Sequence, residues 1–199
     1  GKPLLWYILE RCIHTPAINQ LTVVATTSRP IDDPIANYCR EHRVLVHRGN
    51  LQDVAYRSLE CAKKHKMEYF ARVNADSPFI DPSLMSEACR IASLGKYDIV
   101  TNLYPRSFPY GVSAEIIRTK SYASAYGQMN RQDHLEHVTL FFYENMSTFK
   151  YFNINRSGSN LSKTRLTIDT ERDFEILEAF VGQLTMPWRE MPYDKAAKI

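Results

Sequence analysis

The sequence lacks a long apolar run, a marked excess of charge and any internal repeat. Its 199 residues include 25 Lys and Arg against 22 Asp and Glu, a formal net charge of +3. This charge is too mild to indicate a nucleic-acid-binding protein, and the basic residues are dispersed rather than grouped. No stretch of about 18 apolar residues occurs, so no transmembrane helix is predicted. We therefore expect neither nucleic acid nor a membrane as a partner.

Cysteine is scarce and scattered. The four cysteines lie far apart, each within a predicted helix: Cys12, Cys39, Cys61 and Cys89. Their spacing matches no zinc motif. The pattern favours free, buried thiols in a reducing compartment. We therefore expect a cytoplasmic protein.

Strand-like and helix-like segments alternate along the chain, and 44% of its residues are hydrophobic. A chain of this length can bury one core, so a single domain over residues 1–199 is predicted. The predicted strands are residues 21–27, 44–47, 69–73, 98–102, 113–117, 150–155 and 165–169. The predicted helices are residues 4–14, 34–41, 53–65, 82–93, 119–129, 134–144 and 171–184. The segment from Met186 onward is expected to be peripheral. The alternation predicts a three-layer α/β/α domain with a mostly parallel mixed sheet and right-handed crossovers.

Two segments place an aspartate at or just after the end of a predicted strand. The strand 69–73 leads into an acidic turn that contains Asp76, and the strand 165–169 ends in Asp169. After the second strand, Thr170 and Asp173 form the pattern of a helix capping box. A carboxylate at the C-terminal end of a strand lies where open α/β sheets bind ligands, although Asp is also an ordinary turn residue.

If both strands belong to one parallel sheet, the two aspartates can meet at the same edge. Mg²⁺ prefers oxygen ligands and is usually held by one or two carboxylates together with substrate phosphates. The pattern therefore indicates a Mg²⁺ site formed by Asp76 and Asp169, while capping of a turn is the alternative role for Asp76.

Short motifs follow one another in a characteristic order along nearly the whole chain. They are Gly1-Lys2-Pro3-Leu4-Leu5, Val23-Val24-Ala25-Thr26-Thr27, Arg48-Gly49-Asn50 with Asp53-Val54 and Arg57, Arg72 to Pro82, Pro105 to Gly111, Glu136-His137-Val138-Thr139 and Leu166 to Thr170. Together they resemble the CMP-sugar synthetase type of nucleotidyltransferase. More narrowly, the chain is similar to the cytidylyltransferases of spore coat polysaccharide biosynthesis, which are related to acylneuraminate and Kdo cytidylyltransferases.

The resemblance implies a nucleotidyltransferase (Rossmann-like) domain that transfers CMP from CTP to a sugar, with acidic sugars among the candidates, for surface polysaccharide assembly. It implies that Mg²⁺ is the cofactor, that pyrophosphate is released, and that CTP and a sugar are the partners. The catalytic residues would be Asp76, Asp169 and Arg72. Nucleotide contacts would come from Lys2, Thr26, Thr27, Ser28, Arg57 and Arg72, and sugar contacts from Arg106, Tyr110, Glu115, Glu136 and His137. For Arg72, a structural salt bridge beneath the sheet is the alternative.

The segment 105–150 is rich in aromatic residues and resembles the sugar-binding flap and dimerisation element of the family. A homodimer through residues 121–145 is therefore expected, and an ordinary helical excursion over a sheet edge is the alternative. Family members begin with a central strand and a Gly/Ser/Arg/Lys-rich loop that wraps the CTP triphosphate. That strand and loop are absent from this chain, which starts at Gly1 in the segment that follows them. Two alternatives therefore stay open. The protein is a catalytically silent dimer that serves in binding or scaffolding, or it is an enzyme that uses another base.

Overall fold

A computed structural model describes residues 1–18 and 21–197. The strands in this part of the chain are β1 Val23–Thr27, β2 Leu45–Gly49, β3 Tyr69–Ala71, β4 Ile99–Thr101, β5 Glu115–Arg118 and β6 Tyr151–Asn153. The α-helices are α1 Leu4–Ile13, α2 Asp33–Glu41, α3 Val54–Lys64, α4 Pro82–Ala92, α5 Thr119–Tyr126, α6 Gln132–Glu136, α7 Leu140–Glu144, α8 Glu171–Gly182 and α9 Tyr193–Ala196. Short 3-10 helices lie at Pro30–Asp32, Met146–Thr148 and Trp188–Glu190.

The strands form two sheets. β1 and β2 are parallel, with Val23 opposite Leu45 and Thr27 opposite Gly49. The second sheet has the order β3-β5-β4-β6, in which β5 is antiparallel to both neighbours and β4 is parallel to β6. The predicted α/β class with a mixed sheet is confirmed. Parallel and antiparallel pairs are equally frequent, because β5 enters between β3 and β4 in the reverse direction.

The sheets lie between two layers of helices. Val100 and Ile116 point into a core formed with α1, α4 and α8, whereas their neighbours Ile99 and Ile117 point into a core formed with α3, α5 and α7. Successive side chains of a strand face opposite sides of the sheet, so this alternation separates the two cores. α2 joins the first layer, because Cys39 packs against Leu9 of α1. The predicted three-layer arrangement is thus present.

The prediction of a strand over residues 165–169 was wrong. This segment is irregular, and only Arg165 forms a β-bridge, with Tyr110. Its backbone N–H groups donate hydrogen bonds to two different loops. Leu166 N–H donates to the Tyr110 carbonyl, and Ile168 N–H donates to the Asp76 carbonyl. The segment therefore joins two loops at the edge of the sheet instead of adding a strand to a ladder.

Two further predictions need correction. The helix expected over residues 134–144 is divided into α6 and α7, because Val138 is buried and the backbone at His137 is extended.

The segment from Met186 onward is not peripheral, because Trp188 and Met191 are buried. Their carbonyl groups accept hydrogen bonds from the fully buried Arg11, at 3.3 and 2.6 Å. The C-terminal segment is thereby anchored to α1.

A trough of about 690 Å³ separates β1 from β3. Apolar side chains of α1 and α3 line its length, and Arg57, Arg72 and Asn74 line it as well. β1 pairs only with β2, and β3 pairs only with β5, so each strand keeps an unpaired edge within the described residues. This is the position at which a central strand was expected, and residues 1–18 and 21–197 place none there.

Candidate active site

Arg57 lines the trough from the second turn of α3. Asp53 caps this helix by accepting a hydrogen bond from Tyr56 N–H at 2.6 Å. The guanidinium Nη1 of Arg57 donates to the carbonyl oxygen of Asn50 at 2.6 Å, and its buried Nε has no partner among the described residues. Burial lowers the pKa of Arg57. A Cβ at position 49 would lie 2.9 Å from the Arg57 side chain, so Gly49 permits this close approach.

Arg72 lines the trough from the segment that follows β3. Its Nη1 donates to Glu115 Oε2 at 3.1 Å, and its backbone N–H donates to the Glu115 carbonyl at 3.0 Å. The Glu115 side chain is 2% exposed, whereas the Arg72 side chain is 25% exposed. The structural salt bridge that the sequence offered as an alternative is therefore present. It leaves Nε and Nη2 of Arg72 without a hydrogen bond to any described residue.

The other oxygen of the Glu115 carboxylate is also occupied. Tyr143 O–H donates to Glu115 Oε1 at 2.7 Å, and Thr101 Oγ1 lies 2.8 Å from the same hydroxyl oxygen. Burial, and then the charge of Glu115, raise the pKa of Tyr143, so the phenol stays protonated. Glu115 was predicted to contact a sugar. In the structure its carboxylate is buried and holds Arg72 and Tyr143.

Of the three nucleotide contacts predicted near the end of β1, Thr26 and Thr27 are the last two residues of the strand and Ser28 follows it. Thr27 Oγ1 donates to Asp32 and accepts from Arg29 N–H, so this hydroxyl is used locally. Arg48 donates from Nε to the Thr27 carbonyl at 2.8 Å and pairs with Asp33. Thr26 is buried and Ser28 is exposed. Their contact with a nucleotide stays a prediction.

The segments that carry Asp76 and Asp169 are joined through the backbone, although not as two strand ends. The Asp76 carbonyl accepts a hydrogen bond at 2.8 Å from the N–H of Ile168, the residue before Asp169. Asp76 Oδ1 accepts from Ser77 O–H at 2.7 Å, and Asp169 Oδ2 accepts from Arg165 and Thr167 at 2.6 and 2.7 Å. These bonds, Thr167 first and Arg165 second, lower the pKa of Asp169.

This pair of carboxylates has a donor set that fits Mg²⁺. Asp76 Oδ2 and Asp169 Oδ1 accept no hydrogen bond from any described residue, so one oxygen of each side chain is available. Within the described residues, no group of three or more His, Cys, Asp and Glu side chains could hold a metal ion. Two carboxylates are nevertheless what Mg²⁺ commonly takes from a protein when phosphate oxygens and waters complete its shell.

The loop before β5 carries two predicted sugar contacts. The Arg106 guanidinium lies 4.3 Å from the centroid of the Tyr110 ring, and burial lowers the pKa of Arg106. Tyr110 N–H donates to Thr164, and Leu166 N–H donates to Tyr110, so the loop is fixed to the segment that leads to Asp169. At Gly111 φ is +89° and a Cβ would lie 2.8 Å from the Leu166 backbone, so this clamp requires glycine.

Three of the predicted site residues are not joined to this cluster. Glu136 and His137 are exposed, and within the described residues their side chains form no hydrogen bond or ion pair. Lys2 is exposed at the start of α1, where its amine lies 5.7 Å from the centroid of the Trp6 ring. Their proposed contacts with substrate stay predictions.

Sequence reasoning did not assign three side chains of the cluster. Arg165 could have been recognised from its spacing, because an arginine four residues before Asp169 indicates a local ion pair. Thr101 and Tyr143 lie at positions distant from Glu115 in the chain, and no local pattern indicates that they meet it.

The aromatic side chains of residues 121–145 serve the core. Tyr122 and Phe142 are fully buried and their rings stack 5.9 Å apart, and Phe141 is buried beside them. The expected homodimer stays a prediction, and the aromatic residues that suggested it are used within one chain. The segment 105–150, predicted as a sugar-binding and dimerisation excursion, also contains β5, which lies between β3 and β4 in the four-stranded sheet.

Comparison with known proteins identifies the fold. A cytidylyltransferase structure from Leptospira borgpetersenii serovar Hardjo-bovis superposes with a TM-score of 0.91 at 26% identity, over 100% of this chain and 82% of that chain. A CMP:2-keto-3-deoxy-manno-octonic acid synthetase complexed with CTP gives a TM-score of 0.63 at 14% identity, over 92% of this chain and 89% of the other. The second likeness shows the fold alone. Both neighbours define the fold of the nucleotidyltransferases.

The sequence comparisons agree. A family model described as Cytidylyltransferase matches residues 1–198, so the chain belongs to the cytidylyltransferase family. Spore coat polysaccharide biosynthesis protein SpsF of Bacillus subtilis is 25% identical over 79% of the chain, and uncharacterized protein MJ1063 of Methanocaldococcus jannaschii is 27% identical over 87%. These matches cover 65% and 70% of the two relatives, respectively. None of the helices in residues 1–18 and 21–197 has the length and apolar character needed to cross a bilayer.

Proposed function

We propose that this protein transfers CMP from CTP to a sugar and releases pyrophosphate, in the synthesis of a surface polysaccharide. Membership of the cytidylyltransferase family supports the nucleotide, and the names of the relatives support a sugar acceptor. The observation that carries the proposal is the placement of Arg57 and Arg72 on one trough. Guanidinium groups match the geometry of phosphate oxygens, so the two arginines suit the phosphates of a nucleoside triphosphate.

In the proposed reaction, a hydroxyl oxygen of the sugar attacks the α-phosphorus of CTP. The new P–O bond forms as the bond to the bridging oxygen breaks, pyrophosphate leaves, and the hydroxyl proton passes to solvent. Catalysis of this kind depends on positioning and on neutralising phosphate charge. Arg57 and Arg72 bind the phosphates, while Arg106 and Tyr110 orient the acceptor from the loop clamped beside Asp169.

Asp76 and Asp169 are the residues that would hold Mg²⁺. When bound, Mg²⁺ supplies positive charge that balances the phosphate oxygens. Arg165 keeps one oxygen of Asp169 occupied and fixes the side chain, and Ser77 does the same for Asp76. We further propose a cytoplasmic homodimer. The cysteines are free, and three of the four are buried, which fits a reducing compartment.

The experiment is a pyrophosphate-release assay on the polypeptide as its gene encodes it, with a panel of neutral and acidic sugars and each of CTP, UTP, ATP and GTP. The proposal predicts release that requires CTP, a divalent cation and at least one sugar. Release with another nucleotide in place of CTP would reassign the base. No release with any combination would favour a catalytically silent binding or scaffolding module, and light scattering on the same sample reports the oligomeric state.

A further inference from the structure

A chain of hydrogen bonds runs from β4 to the wall of the trough. Leu103 N–H donates to Thr101 Oγ1 at 3.1 Å, and this hydroxyl lies 2.8 Å from the hydroxyl oxygen of Tyr143. Tyr143 has one hydroxyl proton and gives it to Glu115, so the proton between Tyr143 and Thr101 comes from the threonine. Glu115 then accepts from Arg72 on its second oxygen. Every hydrogen bond of the chain therefore points toward the carboxylate of Glu115, which accepts from both Tyr143 and Arg72.

The ion pair in this network contributes little to the stability of the sheet beyond what an apolar pair would. A buried carboxylate paired with an arginine gains little over an apolar pair, because both charges lose hydration on burial. Glu115 is 2% exposed, whereas the guanidinium that it holds reaches the surface of the trough. Such an arrangement fixes the position of one group. The fixed group is Arg72, whose Nε and Nη2 have no other partner in the described part of the chain.

We propose that Tyr143 is a positioning residue for nucleotide binding. Its hydroxyl holds the Glu115 carboxylate, and that carboxylate holds Arg72 at the wall of the trough with its remaining N–H groups available to a phosphate. The inference rests on the proposed function, because the ligand of Arg72 is taken to be the nucleotide. Without the Tyr143 hydroxyl, Glu115 Oε1 loses its protein donor, and the carboxylate can turn toward another donor and draw Arg72 with it.

Tyr143 also contacts the loop that carries the sugar candidates. The Tyr104 ring stacks on the Tyr143 ring, with centroids 6.2 Å apart and an interplanar angle of 27°. Tyr104 begins the loop that continues to Arg106 and Tyr110. Removal of the hydroxyl alone leaves this stacking in place. Tyr143→Phe therefore separates the bond to Glu115 from the contact with the loop.

The test is a double-mutant cycle on CTP binding, measured by calorimetry with Mg²⁺ present on the complete protein. The four proteins are wild type, Tyr143→Phe, Arg72→Ala and the double variant. We expect Tyr143→Phe to weaken CTP binding about tenfold, because one bond to a buried charge is lost. In the Arg72→Ala background the same change should weaken binding less than about twofold, since the group that it positions is gone.

Tyr193→Phe is the matched control, because the Tyr193 hydroxyl also bonds an arginine, Arg156 at 3.0 Å, in the C-terminal segment. This variant should bind CTP as wild type does. If Tyr143→Phe does not fold, Glu115→Gln enters the cycle in its place with the same expected coupling. If Tyr143→Phe weakens CTP binding equally in the wild-type and Arg72→Ala backgrounds, or in neither, the positioning role is overturned. The proposed function stands in that case as long as wild type binds CTP. Failure of wild type to bind CTP would overturn both.

Discussion

On one wall of the trough Arg72 is paired with a buried carboxylate, whereas on the other wall Arg57 is bonded to one backbone carbonyl. The Arg72 wall belongs to the four-stranded sheet and is braced by Tyr143 and Thr101. The Arg57 wall belongs to α3, where the Nε of the guanidinium is buried and unpartnered among the described residues. If both arginines bind phosphate as proposed, one of them is fixed by a carboxylate before a ligand arrives, while the other is held by one backbone carbonyl. Pre-organised groups lose less entropy on binding.

The largest effect is expected at Asp76, which lies four residues after Arg72 in the chain. Asp76→Asn should lower turnover by about 10²-fold or more, because the amide removes the charge that would hold Mg²⁺ against the phosphates. The melting temperature should change little, because Asn also suits a turn and is nearly the same size. Pyrophosphate release and thermal unfolding measure the two quantities.

Asp81→Asn is the control for that experiment. Asp81 lies five residues further along and caps α4 by accepting from Ser83 and Leu84 N–H, so its substitution should leave turnover unchanged. Near-normal turnover in a well-folded Asp76→Asn protein would remove Asp76 from the catalytic group.

Replacement of the fixed arginine should have the next largest effect. Arg72→Lys should raise the KM for CTP about tenfold, because a single ammonium cannot pair with Glu115 and also present a fork of donors to a phosphate. Steady-state pyrophosphate release over a range of CTP concentrations measures this. A KM within twofold or so of wild type would show that the guanidinium shape does not matter at this position.

A smaller effect is expected at Arg57. Arg57→Lys should raise the KM for CTP about threefold, because the lysine can still place a positive charge at the trough and no carboxylate fixes the native group. The same assay applies, with Arg72→Lys measured beside it. Equal effects at the two positions would break the comparison between the walls.

The smallest effect concerns pH and the Arg165–Asp169 pair. The Thr167 hydroxyl and Arg165 hold the pKa of Asp169 below its usual range, so the pair stabilises the fold above the unfolded pKa near about 3.9. This stability is lost as the pH falls through the folded pKa. The melting temperature of Arg165→Gln should therefore lie below that of wild type by a constant amount from about pH 8 to about pH 5, and the gap should shrink below about pH 4.

Arg40→Gln serves as the control, because Arg40 is exposed and forms no ion pair in residues 1–18 and 21–197. The melting temperature of Arg40→Gln should equal that of wild type at all of these pH values. A gap for Arg165→Gln that persists unchanged in acid would contradict an electrostatic origin.

Much of the fold could be predicted because strand and helix periods are local. The three layers, the central gap and most elements were expected, whereas the direction of β5 was not, because a period of two does not specify which way a strand runs. Val138 and Thr139 interrupt the helix predicted over residues 134–144, where burial of Val138 outweighs helix propensity. The anchoring of Trp188 and Met191 by Arg11 spans almost the whole chain and leaves no local signal.

The candidate site, like the fold, could be predicted only in part. The segments that carry Asp76 and Asp169 are joined by a backbone bond between two loops, from Ile168 to Asp76, rather than by a shared strand edge, and the shared ion stays a prediction. Arg72 and Glu115 were each assigned to substrates, whereas their pairing depends on the alignment of β3 with β5. The contact of Tyr143 with Glu115 depends on how α7 packs over that sheet. Such contacts arise only when the chain is folded.

The most direct test of the account is a crystal structure of the complete protein with CTP and Mg²⁺. The account predicts that the triphosphate contacts Arg57 and Arg72, with the ion on Asp76 and Asp169, and that Arg72 keeps its bond to Glu115. A nucleotide that contacts neither arginine, or an Arg72 side chain that leaves Glu115 to reach the phosphates, would contradict it.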